Sequence, residues 1–273
     1  MDSDATCTNC ETDLGGRYCP TCGQDARPIP TRLLPLLKLF AQHATGVEGR
    51  VVQSVTSLLL RPGRLTRAYV DGQRARYVTP VQIYLLCTAG FFLLHAYAPF
   101  VRLDPETGAV ESRLSALSVG VALPASMLSR LSASGVSLAS FAPRFDAAVS
   151  AYLPVLLVAL VAGTALLMAV LFWREAVVTH VVFALHWSAF YFVLEATRQI
   201  LPIVGVRGGL ASMVGSLMAI GYLAIAMRTV YRRSWASSTI RAVTSIVIFA
   251  TFLATWLWST TVIAAGLASW GAT

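Results

Sequence analysis

Three stretches of this chain, 81–100, 152–173 and 242–267, run for 20, 22 and 26 residues without an Asp, Glu, Lys or Arg. A bilayer core takes about 20 consecutive apolar residues. In lipid each backbone N–H and C=O must be satisfied within the protein, which makes a helix the structure open to each stretch. Two further uncharged stretches, 177–194 and 210–227, have 18 residues each and stop at Glu195 and Arg228. Composition agrees, since 56% of the 273 residues are hydrophobic and 12% charged, half of the roughly 25% charge that soluble domains carry. The expected fold is an α-helical polytopic membrane protein with about five transmembrane helices over 81–273 and an external loop over 101–151. Residues 114–129 are apolar, but their serines, Gly120 and Pro124 suit that loop better than a lipid-facing helix.

Charge placement predicts the orientation. Short cytoplasmic loops hold the excess of Lys and Arg. With the amino end inside, 15 of the 21 basic residues fall on the inner side, ten of them before residue 80, with Arg174, Arg228, Arg232, Arg233 and Arg241 further on. Arg102, Arg113, Arg130, Arg144, Arg198 and Arg207 fall outside. The amino end is therefore expected in the cytoplasm and the carboxyl end outside. No apolar run follows the acidic start Met1-Asp2-Ser3-Asp4 within thirty residues, so a secretory signal is not expected there. The net charge of +8 suits an anionic lipid surface, where each basic residue adds roughly 1 kcal/mol of attraction; nucleic acid is the weaker reading.

The sharpest chemical signal is Cys7-Thr8-Asn9-Cys10, then eight residues, then Cys19-Pro20-Thr21-Cys22-Gly23. Two C-x-x-C pairs can wrap the two sides of one tetrahedral ion, and four thiolates with no open position make a structural rather than catalytic site. Zinc fits best, with Cys7, Cys10, Cys19 and Cys22 as ligands. Two disulfides, a redox pair and an iron–sulfur site compete; a reducing cytoplasm disfavours the first, and the redox pair lacks its βαβ context. A zinc ribbon over 1–27 has almost no apolar residues to bury, so ion binding supplies its folding energy. Glu11 stands where a second turn glycine is expected, which predicts a looser first knuckle. Cys87, inside the first span, reads as a packing residue.

Residues 28–80 read as a linker with juxtamembrane helices. Val51, Val52, Val55, Leu58 and Leu59 recur at the spacing of one helical face, with Arg50, Gln53, Ser54 and Ser57 elsewhere, as in a helix lying along the inner leaflet. Arg61-Pro62-Gly63 breaks it, and a short helix from Arg64 to Val70 ends at Asp71-Gly72. Arg61, Arg64, Arg67, Arg74 and Arg76 then crowd the membrane entrance as candidate ligands for lipid headgroups, or as a solvated stop against translocation.

Tyr18-Cys19-Pro20-Thr21-Cys22-Gly23-Gln24, taken with Arg61-Pro62-Gly63 and with Tyr69, Gly72, Arg74, Tyr77 and Pro80 before a span, resembles an uncharacterised family of bacterial inner-membrane proteins. These carry a short zinc ribbon ahead of several transmembrane helices. The stretch from His180 to His186 resembles that family's histidine-containing helix, although Thr179 stands in place of an acid. The resemblance implies an architecture and a location in the inner membrane, and no reaction.

Ionisable groups at membrane depth are functional candidates. His180 and His186 are six residues apart, about 120° around a helix, and cannot chelate one ion from one face. His180, Ala184, Trp187, Tyr191 and Glu195 fall near one stripe, fit for a proton path or a polar solute, or else for hydrogen bonds between helices. Ala211, Gly215 and Ala219 at four-residue spacing admit a closely packed helix, within the bundle or from a second copy. Two functions follow. In one, the ribbon docks a cytoplasmic protein onto a membrane scaffold or regulator; in the other, the bundle moves a proton, ion or small solute. An enzyme is not expected, since no H-E-x-x-H, G-x-S-x-G or paired-acid motif is present.

Overall fold

The computed structural model describes residues 6–26, 48–97, 101–112, 121–123, 125–133, 135–201 and 208–270. These are mostly helical. In chain order they form α1 (Glu48–Leu60), α2 (Arg64–Val70), α3 (Pro80–Tyr97), β1 (Val101–Leu103), β2 (Ala109–Ser112), β3 (Val121–Ala122), α4 (Ala125–Ala133), α5 (Leu138–Leu171), α6 (Val177–Ile200), α7 (Gly208–Tyr231) and α8 (Trp235–Trp270). Three described helical segments are long and apolar enough to cross a membrane: Val177–Arg198, Met213–Tyr231 and Trp235–Phe252. Pro80–Leu94 and Val158–Leu171 are shorter apolar helices of the same character. The chain is a membrane protein.

Two compact units divide the chain. The first comprises Met1–Gly90, Val161–Val193 and Ala219–Ala242. Its centre is α6, where every residue from Val182 to Phe192 is buried, the pattern of a helix surrounded on all sides. Phe190 stacks on Tyr222 of α7 with ring centroids 3.5 Å apart, and Phe172, just past α5, stacks on Tyr231 at 3.7 Å.

Local chemistry explains how α1 and α2 attach to this unit. The carbonyl of Leu58 would ordinarily accept from the N–H four residues on, but that residue is Pro62, which has none. The Tyr222 hydroxyl donates to it instead, at 2.8 Å. Gly63 has φ +79°, and a Cβ there would lie 2.8 Å from the carbonyl oxygen of Ala226, so glycine is needed for both conformation and space. Gly72, at φ +89°, follows α2, with the Gln73 N–H donating to Ala68 at 2.9 Å. A capping box opens α3: Thr79 N–H donates to Gln82 Oε1 at 3.0 Å, Gln82 N–H donates to Thr79 Oγ1 at 3.3 Å, and Pro80 takes the first helical position.

The amphipathic reading of α1 is corrected in one respect. Ser54, Ser57 and Leu58 form its buried face, while Val52 and Leu59 of the expected face are exposed. The small serines allow close packing, and Ser54 Oγ accepts the Val78 N–H at 3.0 Å, a bond that no valine could make.

The second unit comprises Phe91–Leu160, Leu194–Met218 and Val243–Thr273. Residues 101–151, expected as an external loop, hold an antiparallel sheet of order β1-β2-β3, the helix α4 and the start of α5. Helix α5 begins at Leu138, well before the expected span at 152, because Phe141, Phe145 and Val149 bury one face at helical spacing and Asp146 Oδ1 accepts the Leu103 N–H at 3.0 Å. Of the 114–129 stretch, residues 114–120 and 124 lie outside the described residues.

Candidate metal centre

The head consists of two knuckles twelve residues apart. In the first, Glu11 N–H donates to the Cys7 carbonyl and Cys7 N–H to the Thr12 carbonyl, both at 2.8 Å. In the second, Gly23 N–H donates to Cys19 and Cys19 N–H to Gln24, both at 2.9 Å. Bridges pair Thr6 with Asp13 and Tyr18 with Asp25, closing each knuckle at the same place. The looser first knuckle expected from Glu11 is not found: Glu11 adopts φ 60°, close to the 69° of Gly23, and completes the same hydrogen bonds. Holding a residue with a Cβ there costs about 1–2 kcal/mol.

All four cysteine sulfurs lie within 4.8 Å of one another and could hold a metal ion. Cys7 and Cys22 Sγ are 3.7 Å apart, and Cys10 and Cys19 Sγ 3.5 Å. A tetrahedral ion with sulfur ligands at about 2.3 Å sets its ligands about 3.8 Å apart, whereas disulfide sulfurs stand at about 2.05 Å. The spacing leaves room for a single ion among the thiolates. The Thr12 hydroxyl, 3.4 Å from Cys10 Sγ, and the Thr12 backbone hold the Cys10 thiol down to about 6, toward the thiolate that a metal needs.

The head is fastened to the loop between α2 and α3. Gln24, one residue past the second knuckle's glycine, is buried and reaches that loop with both ends of its amide. Its Nε2 donates to the Gly72 carbonyl at 2.7 Å and to Thr8 Oγ1 at 2.9 Å. Its Oε1 accepts the N–H groups of Arg74 at 2.9 Å and Ala75 at 3.1 Å. Thr8 Oγ1 donates to Gly72 at 3.2 Å, and Arg74 Nη2 donates to the Asp25 carbonyl at 3.2 Å. A Cβ on Gly72 would come within 3.0 Å of the Thr8 hydroxyl. Motif reading places Gln24 and Gly72 beside the cysteines and the arginines, but nothing in their spacing says that they meet. Replacing Gln24 with Ala takes the side-chain acceptor from the Ala75 N–H, and leaves the Arg74 N–H with the Gly72 carbonyl at 3.0 Å and the Gly72 carbonyl with the Thr8 hydroxyl. We expect a loss of about 1–3 kcal/mol in head docking, read as faster amide exchange at Ala75 with the metal content of the protein unchanged; unchanged exchange there would refute the clamp.

This arrangement sorts the five juxtamembrane arginines. Arg67 Nε donates to Asp71 Oδ2 at 2.8 Å, and Arg74 is turned toward the head. Arg61, Arg64 and Arg76 are exposed.

The polar residues of α6 are not gathered into one site. His180 Nδ1 lies 3.1 Å from the Tyr231 hydroxyl of α7, and His186 Nδ1 lies 2.9 Å from the Thr66 hydroxyl of α2. Tyr191 is buried among rings, 6.2 Å from Trp187 by centroid. In the second unit, Arg198 Nη1 donates to both carboxylate oxygens of buried Glu195, at 2.7 and 2.9 Å. A Cβ at Gly215 of α7 would stand 2.5 Å from Arg198 Cδ, so this glycine makes room for a side chain rather than for a helix backbone. Cys87 is buried in α3, apart from the four-cysteine cluster.

Fold and site together define a mostly helical membrane protein with a four-cysteine head. Within it, residues 48–92 match a family described as a protein of unknown function, DUF3667. The match runs over α1, α2 and most of α3, and so takes in the loop that receives Gln24. No curated protein and no solved structure matches the chain.

Proposed function

We propose that this chain is a five-span protein of the bacterial inner membrane whose cytoplasmic head is a structural zinc ribbon, acting as the docking module of a membrane scaffold or regulator. The observation that carries this reading is the Gln24 clamp, which holds a metal-folded head in one place at the membrane entrance. Clamping occupies one side of the head through Thr8, Gln24 and Asp25. It leaves Tyr18 56% exposed, with the Arg17 guanidinium 5.1 Å from its ring centroid, as an aromatic anchor for a partner. A closed set of four thiolates suits zinc as a structural ion and leaves no position for catalysis.

Support for the orientation comes from how the arginines divide. Arg17, Arg50, Arg61, Arg64, Arg67, Arg74, Arg76, Arg174, Arg228, Arg232, Arg233 and Arg241 all belong to segments of the first unit, and Arg102, Arg130, Arg144 and Arg198 to segments of the second. The same division follows from the count of basic residues in short cytoplasmic segments, which supports a cytoplasmic amino end.

The transport reading has less support, because among the described residues His180, His186 and Glu195 each contact a different side chain. The test is co-purification from native membranes. Tyr18→Ala should keep the ion and lose the partner, and Cys19→Ser with Cys22→Ser should lose both. The same partners on all three proteins would sink the docking role, and a pH-dependent flux in liposomes abolished by His180→Ala with His186→Ala would replace it with transport.

A further inference from the structure

Three turns of the first unit, 61–63, 172–176 and 232–234, are drawn to the same end of its helices. Gly63 meets Ala226 and Thr229 of α7, with an ideal Cβ 3.0 Å from Thr229 Cβ. Tyr231, closing α7, stacks on Phe172. Arg241, in the second turn of α8, donates to the Leu171 carbonyl at 3.0 Å and lies 4.6 Å over the Phe172 ring. These contacts place Arg61, Arg64, Arg174, Arg228, Arg232 and Arg233 around one rim, and all six are exposed. Among the described residues none of the six has an ion-pair partner. Glu175 is the acid in the 172–176 turn.

Each turn also sets a large exposed apolar side chain beside its charge. Leu60, 77% exposed, precedes Arg61; Trp173, 76% exposed, precedes Arg174; and Trp235, 54% exposed, follows Arg233 by two residues. The Arg228 guanidinium lies 4.4 Å from the Trp235 ring centroid, and that of Arg174 lies 5.3 Å from Trp173. Cation–π contact at that range keeps a guanidinium near the ring face while its N–H edge can still donate. A soluble acidic protein or an RNA could take up the charges and the indoles, but neither accounts for all three turns carrying an apolar side chain beside an arginine at the same end of the helices. A headgroup layer matches both, since Trp favours the boundary between acyl chains and headgroups and arginine the phosphates just outside it.

We propose that this rim binds the phosphate of anionic phospholipid headgroups, with Arg228, Arg232 and Arg233 as its main donors and Trp173 and Trp235 fixing its depth. The site differs from the Arg61–Arg76 entrance cluster suggested by sequence alone, because Arg67 and Arg74 are turned onto Asp71 and the head while α7 and its following turn bring in new arginines. It needs neither the metal nor a docked partner.

The experiment uses the full chain in neutral detergent, titrated separately with phosphatidylglycerol, phosphatidylcholine and inorganic phosphate, and reads retained lipid by native mass spectrometry together with the shift in Tm. Phosphatidylglycerol should be retained and should raise Tm, with phosphatidylcholine and phosphate well behind. Changing Arg228, Arg232 and Arg233 together to Gln should weaken phosphatidylglycerol binding roughly fivefold per arginine, about a hundredfold in all. The matching triple Lys variant should keep most of the binding, and Arg144→Gln, in the second unit, should keep all of it. Should the triple Gln variant not fold, Arg61→Gln with Arg64→Gln tests the same rim from α2. Equal retention of the two lipids, or full retention after loss of the arginines, overturns the proposal. An equal Tm shift from inorganic phosphate overturns the lipid assignment in favour of a soluble phosphate site.

Discussion

Chelation of a metal ion held by the four cysteines will unfold residues 6–26 and, in the same step, release the loop at residues 72–75. The head has little apolar surface to bury, and its order rests on a few backbone bonds such as Cys7 N–H to Thr12 and Cys19 N–H to Gln24. Each is worth about 1 kcal/mol net, whereas ion binding in comparable four-ligand peptides supplies on the order of 10–16 kcal/mol. An ion bound by the four cysteines would therefore decide whether the head is folded, and the docking bonds through Gln24 only where it sits. Hydrogen exchange is the direct measurement. After chelation the amides of Cys7, Glu11, Cys19 and Gly23 should lose protection, and that of Ala75 with them, because its acceptor is Gln24 Oε1, while the Arg74 amide also has the Gly72 carbonyl. Exchange in α6 from Val182 to Phe192 should not change. Protection at Ala75 that survives metal loss would show that the loop is ordered without the head.

Removing the guanidinium of Arg198 should be the most damaging single change in the second unit. Glu195 is 2% exposed, and two of its hydrogen bonds come from Arg198 Nη1. Breaking a buried pair from one side leaves a charge with its desolvation uncompensated, typically a loss of 3–5 kcal/mol, while replacing both partners by neutral groups of similar volume is far milder. Arg198→Ala should therefore destabilise the protein in mixed micelles by about 3–5 kcal/mol, and Glu195→Gln with Arg198→Met should recover most of that. A double variant no more stable than Arg198→Ala would mean that volume, not charge, holds this site together. Gly215 belongs to the same unit of structure, since the path of the Arg198 side chain runs where a Cβ would otherwise be.

Glu195 also shows where reading by charge falls short. As a place where a span must stop it is a sound marker in one dimension, yet α6 continues to Ile200. The helix carries its own counter-charge three residues on, and i,i+3 residues are neighbours on a helix surface. Residues 101–151 fail for a related reason. Their serines, glycines and prolines obscure the Phe141, Phe145 and Val149 face that starts α5 at Leu138. The helix-ending signals were plainer. Arg61-Pro62-Gly63 and Asp71-Gly72 act within a few residues through proline's missing N–H and glycine's access to positive φ, and both lie where the chain turns.

The four cysteines were legible because a metal site of this kind is written in short spacings, C-x-x-C twice, that wrap an ion wherever the chain places them. Uncharged runs were legible because bilayer thickness sets a length that sequence must meet. What faces what is another matter. That Ser54 and Ser57 rather than Val52 turn inward, that Tyr222 supplies the donor Pro62 lacks, that Gln24 closes on Gly72, and that arginines from three turns share one rim are relations between residues up to 164 positions apart. Local periodicity has a range of a turn or two. Pairings across that distance are selected by which buried donors and acceptors find each other, and only the assembled helices decide that.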